Sequence, residues 1–148
     1  MIYLLDTDIL ITMICGFKPS PRPKQQRERA VHLTNICETK ASRGATIGLS
    51  AITFSELEFG AHLGGDYEAE AARMQSLLTP FTMYDYDAVN CSKQYGLLRF
   101  QLAKQGQPIG ATDTLIAAHA MALSATLITN NLKHFGKIKG LKIENWIP

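Results

Sequence analysis

A turn, an apolar helix, a buried strand and a polar end follow one another without interruption in residues 107–131, QPIGATDTLIAAHAMALSATLITNN. A helix that is apolar on most of its circumference and rich in alanine suits close packing against a sheet. The apolar run that follows it reads as a strand of that sheet. Pro108 and Gly110 mark the entry, and Thr112 is the expected N-cap, which puts Asp113 in the first helical turn. Ala125–Thr129 then ends in Asn130 and Asn131. In an open parallel sheet, sites form beyond the carboxyl ends of the strands. The stretch therefore delivers an acid at a helix start and two amides at a strand end. The plainer alternative is equally open: Asp113 favours the helix dipole and the Asn pair makes a turn.

The rest of the chain repeats the alternation. Ile2–Leu5 is a short continuous apolar run of the kind found in central parallel strands. It ends in Asp6-Thr7-Asp8, with a short helix expected over Ile9–Cys15. Asp6 sits too early to cap that helix, so Asp8 is expected to cap it and Asp6 to be functional. Residues 16–24 are Pro-rich and exclude regular helix. Between Lys18 and Arg29 the local charge is +4, and Arg22, Lys24 and Arg27 are candidate phosphate contacts, with a solvated connector as the plainer alternative. A helix over Gln25–Ala41 and a strand over Ala45–Leu49 follow. Ser50 is expected to cap a helix over Ile52–Leu63. There Glu56 shares a face with Ile52, Phe59 and Leu63 and needs a partner or a metal. Glu58 is expected to be more solvated, and Gly60 points to close backbone packing. Helices over Asp66–Leu78 and Asp87–Lys104 flank a possible strand over Phe81–Tyr84. After the 107–131 stretch, four lysines crowd Leu132–Lys142 and Leu141–Trp146 reads as an edge strand.

Composition narrows the function classes. A length of 148 residues, 46% of them hydrophobic, suits one domain with a sizeable core, residues 1–148. A net charge of +2 does not by itself imply a nucleic-acid or membrane partner. No apolar run can span a bilayer. Cys15, Cys37 and Cys91 have no metal-type spacing and read as reduced thiols of a cytoplasmic protein. The four histidines are scattered singly, each expected at the surface or in the core rather than as a ligand.

Asp6, Glu56 and Asp113 are distant in sequence, yet each follows a strand or opens a helix on one sheet edge. Clustered carboxylates repel unless a hard cation neutralises them, and Mg²⁺ or Mn²⁺ prefers such oxygen ligands.

These residues resemble the PIN-domain family, in particular the VapC-type toxin ribonucleases of type II toxin–antitoxin systems. The resemblance is carried by Tyr3–Asp8 and by Ser50–Leu57 with Gly60. It continues through Pro108–Gly110 with Asp113, Ile116–Ala118, Leu127–Asn131, Phe135 and Glu144–Trp146. It implies an α/β fold with a central, mostly parallel sheet of four to five strands flanked by helices. It also implies a Mg²⁺-dependent endoribonuclease, Mn²⁺ able to substitute, that cuts tRNA or another structured RNA and inhibits translation. A cognate VapB-type antitoxin would silence it, and a homodimer is expected. The family's metal ligands fall on Asp6, Glu56 and Asp113. The fourth acidic position falls on Asn131, an amide, which leaves one or two metal ions open. Two rivals stand beside this: a haloacid dehalogenase-type phosphatase using Asp6 as nucleophile, and a catalytically weakened PIN scaffold that binds RNA or antitoxin.

Overall fold

The computed structural model describes residues 1–148. In chain order the elements are β1 (Ile2–Leu5), α1 (Thr7–Gly16), α2 (Lys24–Ser42), β2 (Thr46–Ser50), α3 (Ala51–Leu63) and α4 (Tyr67–Leu78). Then come β3 (Thr82–Tyr84), α5 (Asn90–Lys104), α6 (Ala111–Ala122), β4 (Thr126–Ile128), α7 (Leu132–Phe135) and β5 (Lys142–Glu144). The five strands form one sheet in the order β3-β2-β1-β4-β5, and every neighbouring pair is parallel.

Side-chain alternation along the strands divides the core in two. Tyr3 and Leu5 join Ile47, Leu49 and Ile128 on the face covered by α1, α2 and α4. Leu4 and Leu127 turn to the other face, under α5 and α6 with Phe135 and Ile138. Ile116, Ala117, Ala118 and Ala120 are fully buried, as expected of the alanine-rich helix laid on the sheet. Gly48 allows β3 to pass close: a Cβ there would stand 2.5 Å from the Thr82 carbonyl oxygen and the Tyr84 ring.

From β1 the chain winds outward through β2 to β3, then returns to the other flank of β1 for β4 and β5. The winding reverses between β1 and β4, so the crevice beyond their carboxyl ends is the topological switch point of the sheet.

Several local expectations are corrected. The α6 N-cap is Gly110 rather than Thr112, and no side chain caps that helix; the Thr114 hydroxyl bonds back to the Gly110 carbonyl at 2.9 Å. Asp6, not Asp8, is the N-cap of α1. α5 starts at Asn90, with Asp87 accepting from its amide at 2.7 Å. The face of α3 bearing Phe59 and Leu63 is exposed, at 65% and 71%. Glu58 accepts a 2.7 Å hydrogen bond from the Tyr67 hydroxyl rather than standing in water alone. Nothing lies within 4 Å of a Cβ placed on Gly60, so no close packing within this chain explains it. The short helix α7 has no counterpart in the sequence pattern, because four residues are too few to show a period.

Candidate active site

Asp6 leaves β1 at the switch point. Its amide continues the sheet by donating to the Ile128 carbonyl at 2.9 Å. One carboxylate oxygen accepts from the Thr7 amide and the other from the Thr129 hydroxyl, both at 2.8 Å. The backbone and Thr129 therefore fix both oxygens, and the residue is only 5% exposed. Burial first, then the charge of Asp8, raise its pKa from 3.8 to about 7; the two hydrogen bonds oppose this and Asp113 adds to it.

Asp8 is the residue that sequence reasoning misassigned. It accepts a 3.0 Å hydrogen bond from the Asn130 amide, so the chain after β4 is tied to α1. Burial raises its pKa, and the charge of Asp113 contributes. Asp8 Oδ1 is buried with no hydrogen-bond partner. Asp6 and Asp8 thus stand close together in a buried setting, and the charge of Asp113 reaches both. The signal for Asp8 was present in the i, i+2 spacing after the strand, but a capping role explained it first.

Glu56 joins through an intermediary. The Thr7 hydroxyl donates to Glu56 Oε1 at 2.6 Å, while the Thr7 amide holds Asp6. The helix bearing Glu56 is anchored at its start, where Ser50 Oγ accepts from the Ile52 amide at 3.0 Å and lies 2.7 Å from His119 Nδ1. That contact pins α3 to α6, the helix that carries Asp113. His119 is wholly buried, and burial lowers its pKa, so it serves as a neutral core tie, in line with expectation.

Asp113 Oδ2 lies 3.1 Å from His134 Nδ1, and Asn131 Nδ2 lies 3.1 Å from the same nitrogen. The sequence gives His134 no partner; in the structure it bridges two predicted site residues. Asn131 caps α7, its Oδ1 accepting from the His134 amide at 3.4 Å, and its own amide donates to Thr129 Oγ1 at 3.0 Å. Asp113 Oδ2 and the Asn131 NH₂ thus converge on one ring nitrogen, which can donate to the first or accept from the second but not both.

The side chains as they stand do not bring three His, Cys, Asp or Glu groups together around one point. Glu56 is drawn to Thr7 and Asp113 to His134. The fit to a hard cation rests on donor chemistry: carboxylate oxygens, mutual repulsion that raises pKa, and one buried carboxylate oxygen lacking a partner. Arg22, Lys24 and Arg27 make no hydrogen bond or ion pair to any of these residues; Lys24 pairs instead with Glu28 at 3.7 Å.

A PIN domain family model matches residues 3–141. Ribonuclease VapC2 of Rickettsia felis is 34% identical over 146 residues, spanning 99% of this chain and 98% of that protein. The tRNA(fMet)-specific endonuclease VapC of Shigella flexneri is 31% identical over 144 residues, 97% of each chain. Among solved structures, VapBC2 from Rickettsia felis bound to a promoter DNA fragment aligns with a TM-score of 0.85 and 35% identity over 99% of both chains. A parallel sheet with acids gathered at its switch point is the architecture of a PIN-domain nuclease. The chain belongs to that family, among the VapC ribonucleases, whose chemistry depends on divalent cations. The phosphatase reading of Asp6 gives way to this membership.

Proposed function

We propose that the chain is the toxin of a toxin–antitoxin pair, a Mg²⁺-dependent endoribonuclease that cuts tRNA or another structured RNA and so arrests translation. The observation that carries the reading is the placement of Asp6 and Asp8 at the switch point of the sheet, with Asp113 near enough for its charge to reach both. Asp6, Asp113 and Glu56 would hold the cation, and the unpartnered oxygen of Asp8 adds a fourth donor. Once bound, the cation supplies a Lewis acid for the phosphate and lowers the pKa of water. The protein's share is positional. Thr129 and the Thr7 amide keep Asp6 from rotating, Thr7 steers Glu56, and His134 steers Asp113. Glu56 is half-buried, with one oxygen on Thr7, which leaves the other for the cation or for a water that the cation would hold. Arg22, Lys24 and Arg27 are secondary phosphate contacts in this reading, and three free cysteines suit a cytoplasmic setting.

Partners follow from apolar surface. A hollow of about 450 Å³ lined by Met13, Phe17, Cys37, Ile47, Leu77 and Phe81 is suited to apolar side chains of a VapB-type antitoxin. Exposed Phe59 and Leu63 on α3, with open Gly60 between them, suit a second copy of the chain.

The direct experiment incubates the purified protein with initiator tRNA, the substrate class named for the Shigella relative, and with a pool of other RNAs. Discrete fragments are expected in Mg²⁺, abolished by chelation and by a stoichiometric amount of a cognate VapB-type antitoxin. No scission of any RNA by folded protein in Mg²⁺ or Mn²⁺ overturns the reading.

Asn131→Asp offers a subtler check. The new carboxylate would keep an oxygen on the His134 amide and add a charge beside Asp113 at the same ring nitrogen. Mn²⁺ binding is expected to tighten by calorimetry, while the apo melting temperature falls, because the added carboxylate repels its neighbours until a cation arrives. Unchanged affinity would place Asn131 outside the metal's reach.

A further inference from the structure

The segment from Leu132 to Lys142 holds Lys133, Lys137, Lys139 and Lys142 and no acidic residue. None of the four is in an ion pair, whereas Lys18 and Lys24 of the other basic stretch face Glu70 and Glu28. The segment is also fixed. Phe135 is fully buried and Ile138 nearly so, both inside the core under α5 and α6. Gly140 makes the last turn at φ +84°, a conformation that other residues rarely adopt. Phe135 and Ile138 point inward while Leu132 stays exposed, and Lys133 and Lys139 are exposed and Lys137 half-exposed on a backbone held in place.

The N-terminal end of the segment is joined to the acidic site. Asn131 caps α7 and bonds Thr129, which holds Asp6, and His134 next to Lys133 contacts Asp113. The C-terminal end starts β5: Lys142 pairs in register with Thr126, at the opposite edge of the sheet. Lys133, Lys137 and Lys139 therefore run from the carboxyl edge down the flank of α7 and the turn after it, and Lys142 lies beyond them.

We propose that Lys133, Lys137 and Lys139 form the phosphate track that seats the RNA strand on one side of the scissile bond. This rests on the ribonuclease reading above. Uncompensated like charges on a rigid backbone repel one another, and a polyanion relieves that repulsion while releasing its own counterions. RNA is favoured over an acidic peptide by the neighbouring site. Asp6, Asp8 and Asp113 repel a carboxylate chain, whereas a phosphate strand arrives with the divalent cation that neutralises them. The track also reverses the weight given to the two basic stretches: the one stapled to the acids outweighs Arg22, Lys24 and Arg27.

The test uses the full-length protein carrying Asp113→Asn to prevent cleavage, and labelled initiator tRNA as probe. Binding is measured across a salt series for this parent, for K133A/K137A/K139A, for R22A/K24A/R27A, and for K93A/K104A on α5 as a charge-loss control. The lysine triple is expected to weaken binding about tenfold to a hundredfold at low salt. It is also expected to flatten the plot of log affinity against log salt by roughly two units, at about 0.7–0.9 for each phosphate no longer neutralised. The arginine-containing triple should lose less than half as much slope, and the α5 control almost none. A slope unchanged in the lysine triple, or a larger loss in R22A/K24A/R27A, overturns the track. Loss of antitoxin binding with RNA binding intact overturns it as well, by assigning the surface to a protein partner. In each case cleavage by the unsubstituted protein leaves the ribonuclease reading standing, and absence of that cleavage is what removes the reading itself.

Discussion

Asp113→Asn is expected to lower RNA cleavage about a hundredfold or more at limiting Mg²⁺, with folding intact. Removing a partner that merely orients a metal ligand already costs roughly ten- to a hundredfold, and here a proposed ligand loses its charge. Asp113 sits in the first turn of α6, and its side chain stays partly exposed, so the amide replaces it without a buried vacancy. The amide can still meet His134 Nδ1, which keeps α7 docked. Excess Mn²⁺ should restore part of the activity, because the loss is one of affinity. Cleavage at the level of the unsubstituted protein under limiting Mg²⁺, with circular dichroism unchanged, would remove Asp113 from the site.

The second large effect is on stability. Burial and neighbouring charge raise the Asp6 carboxyl from 3.8 in the reference state to about 7 in the fold. The folded protein then binds this proton more tightly than the unfolded chain does, so ionisation penalises folding. The penalty is absent below about pH 4, grows as pH rises toward about 7, and is constant above that. A rise of about three units corresponds to at most about 4 kcal/mol, or roughly 10 °C in melting temperature for a chain of this size. The metal-free protein should therefore melt markedly lower at pH 8 than at pH 5. Mg²⁺ or Mn²⁺ should reverse the deficit at pH 8 and do little at pH 5, where protons compete for the same oxygens. Asp6→Asn should remove most of the pH slope and most of the cation effect together. An equal slope in the substituted protein would mean that other groups set it.

The fold was legible where burial imposes a period. Ile2–Leu5 and Ala125–Thr129 are continuous apolar runs because central parallel strands are covered on both faces, and both proved central. The alanines of α6 announced close packing and are buried. Element ends were less legible. Asp6 capping α1 and Gly110 opening α6 depend on where the chain leaves the sheet, which no residue preference encodes. The site was legible as a set of carboxylates and illegible as a network. Thr7, Thr129 and His134 carry no charge pattern of their own. Their roles come from tertiary neighbours: β1 beside β4 brings Thr129 to Asp6, β1 beside β2 brings Thr7 to Glu56, and α7 against α6 brings His134 to Asp113. Asp8 was visible but had a sufficient local explanation, which fails because Asp6 takes the cap of α1 and leaves Asp8 with a buried, unpartnered oxygen. The exposed side of Phe59 and Leu63 was misjudged because an apolar face is the same in sequence whether it meets the chain's own core or another molecule.

The ribonuclease reading turns on the carboxyl edge between β1 and β4 holding the catalytic cation. Anomalous diffraction from crystals of the protein grown with Mn²⁺ addresses that edge without an intermediary. A strong anomalous peak is expected in contact with Asp6 and Asp113, at roughly 2.0–2.2 Å from their oxygens as for a hard cation of this size. Asp8 or Glu56 should complete the set, and the peak should vanish in Asp6→Asn. A protein that cleaves RNA in Mn²⁺ yet shows no peak at that edge, or shows its peak elsewhere, contradicts the placement of the cation there.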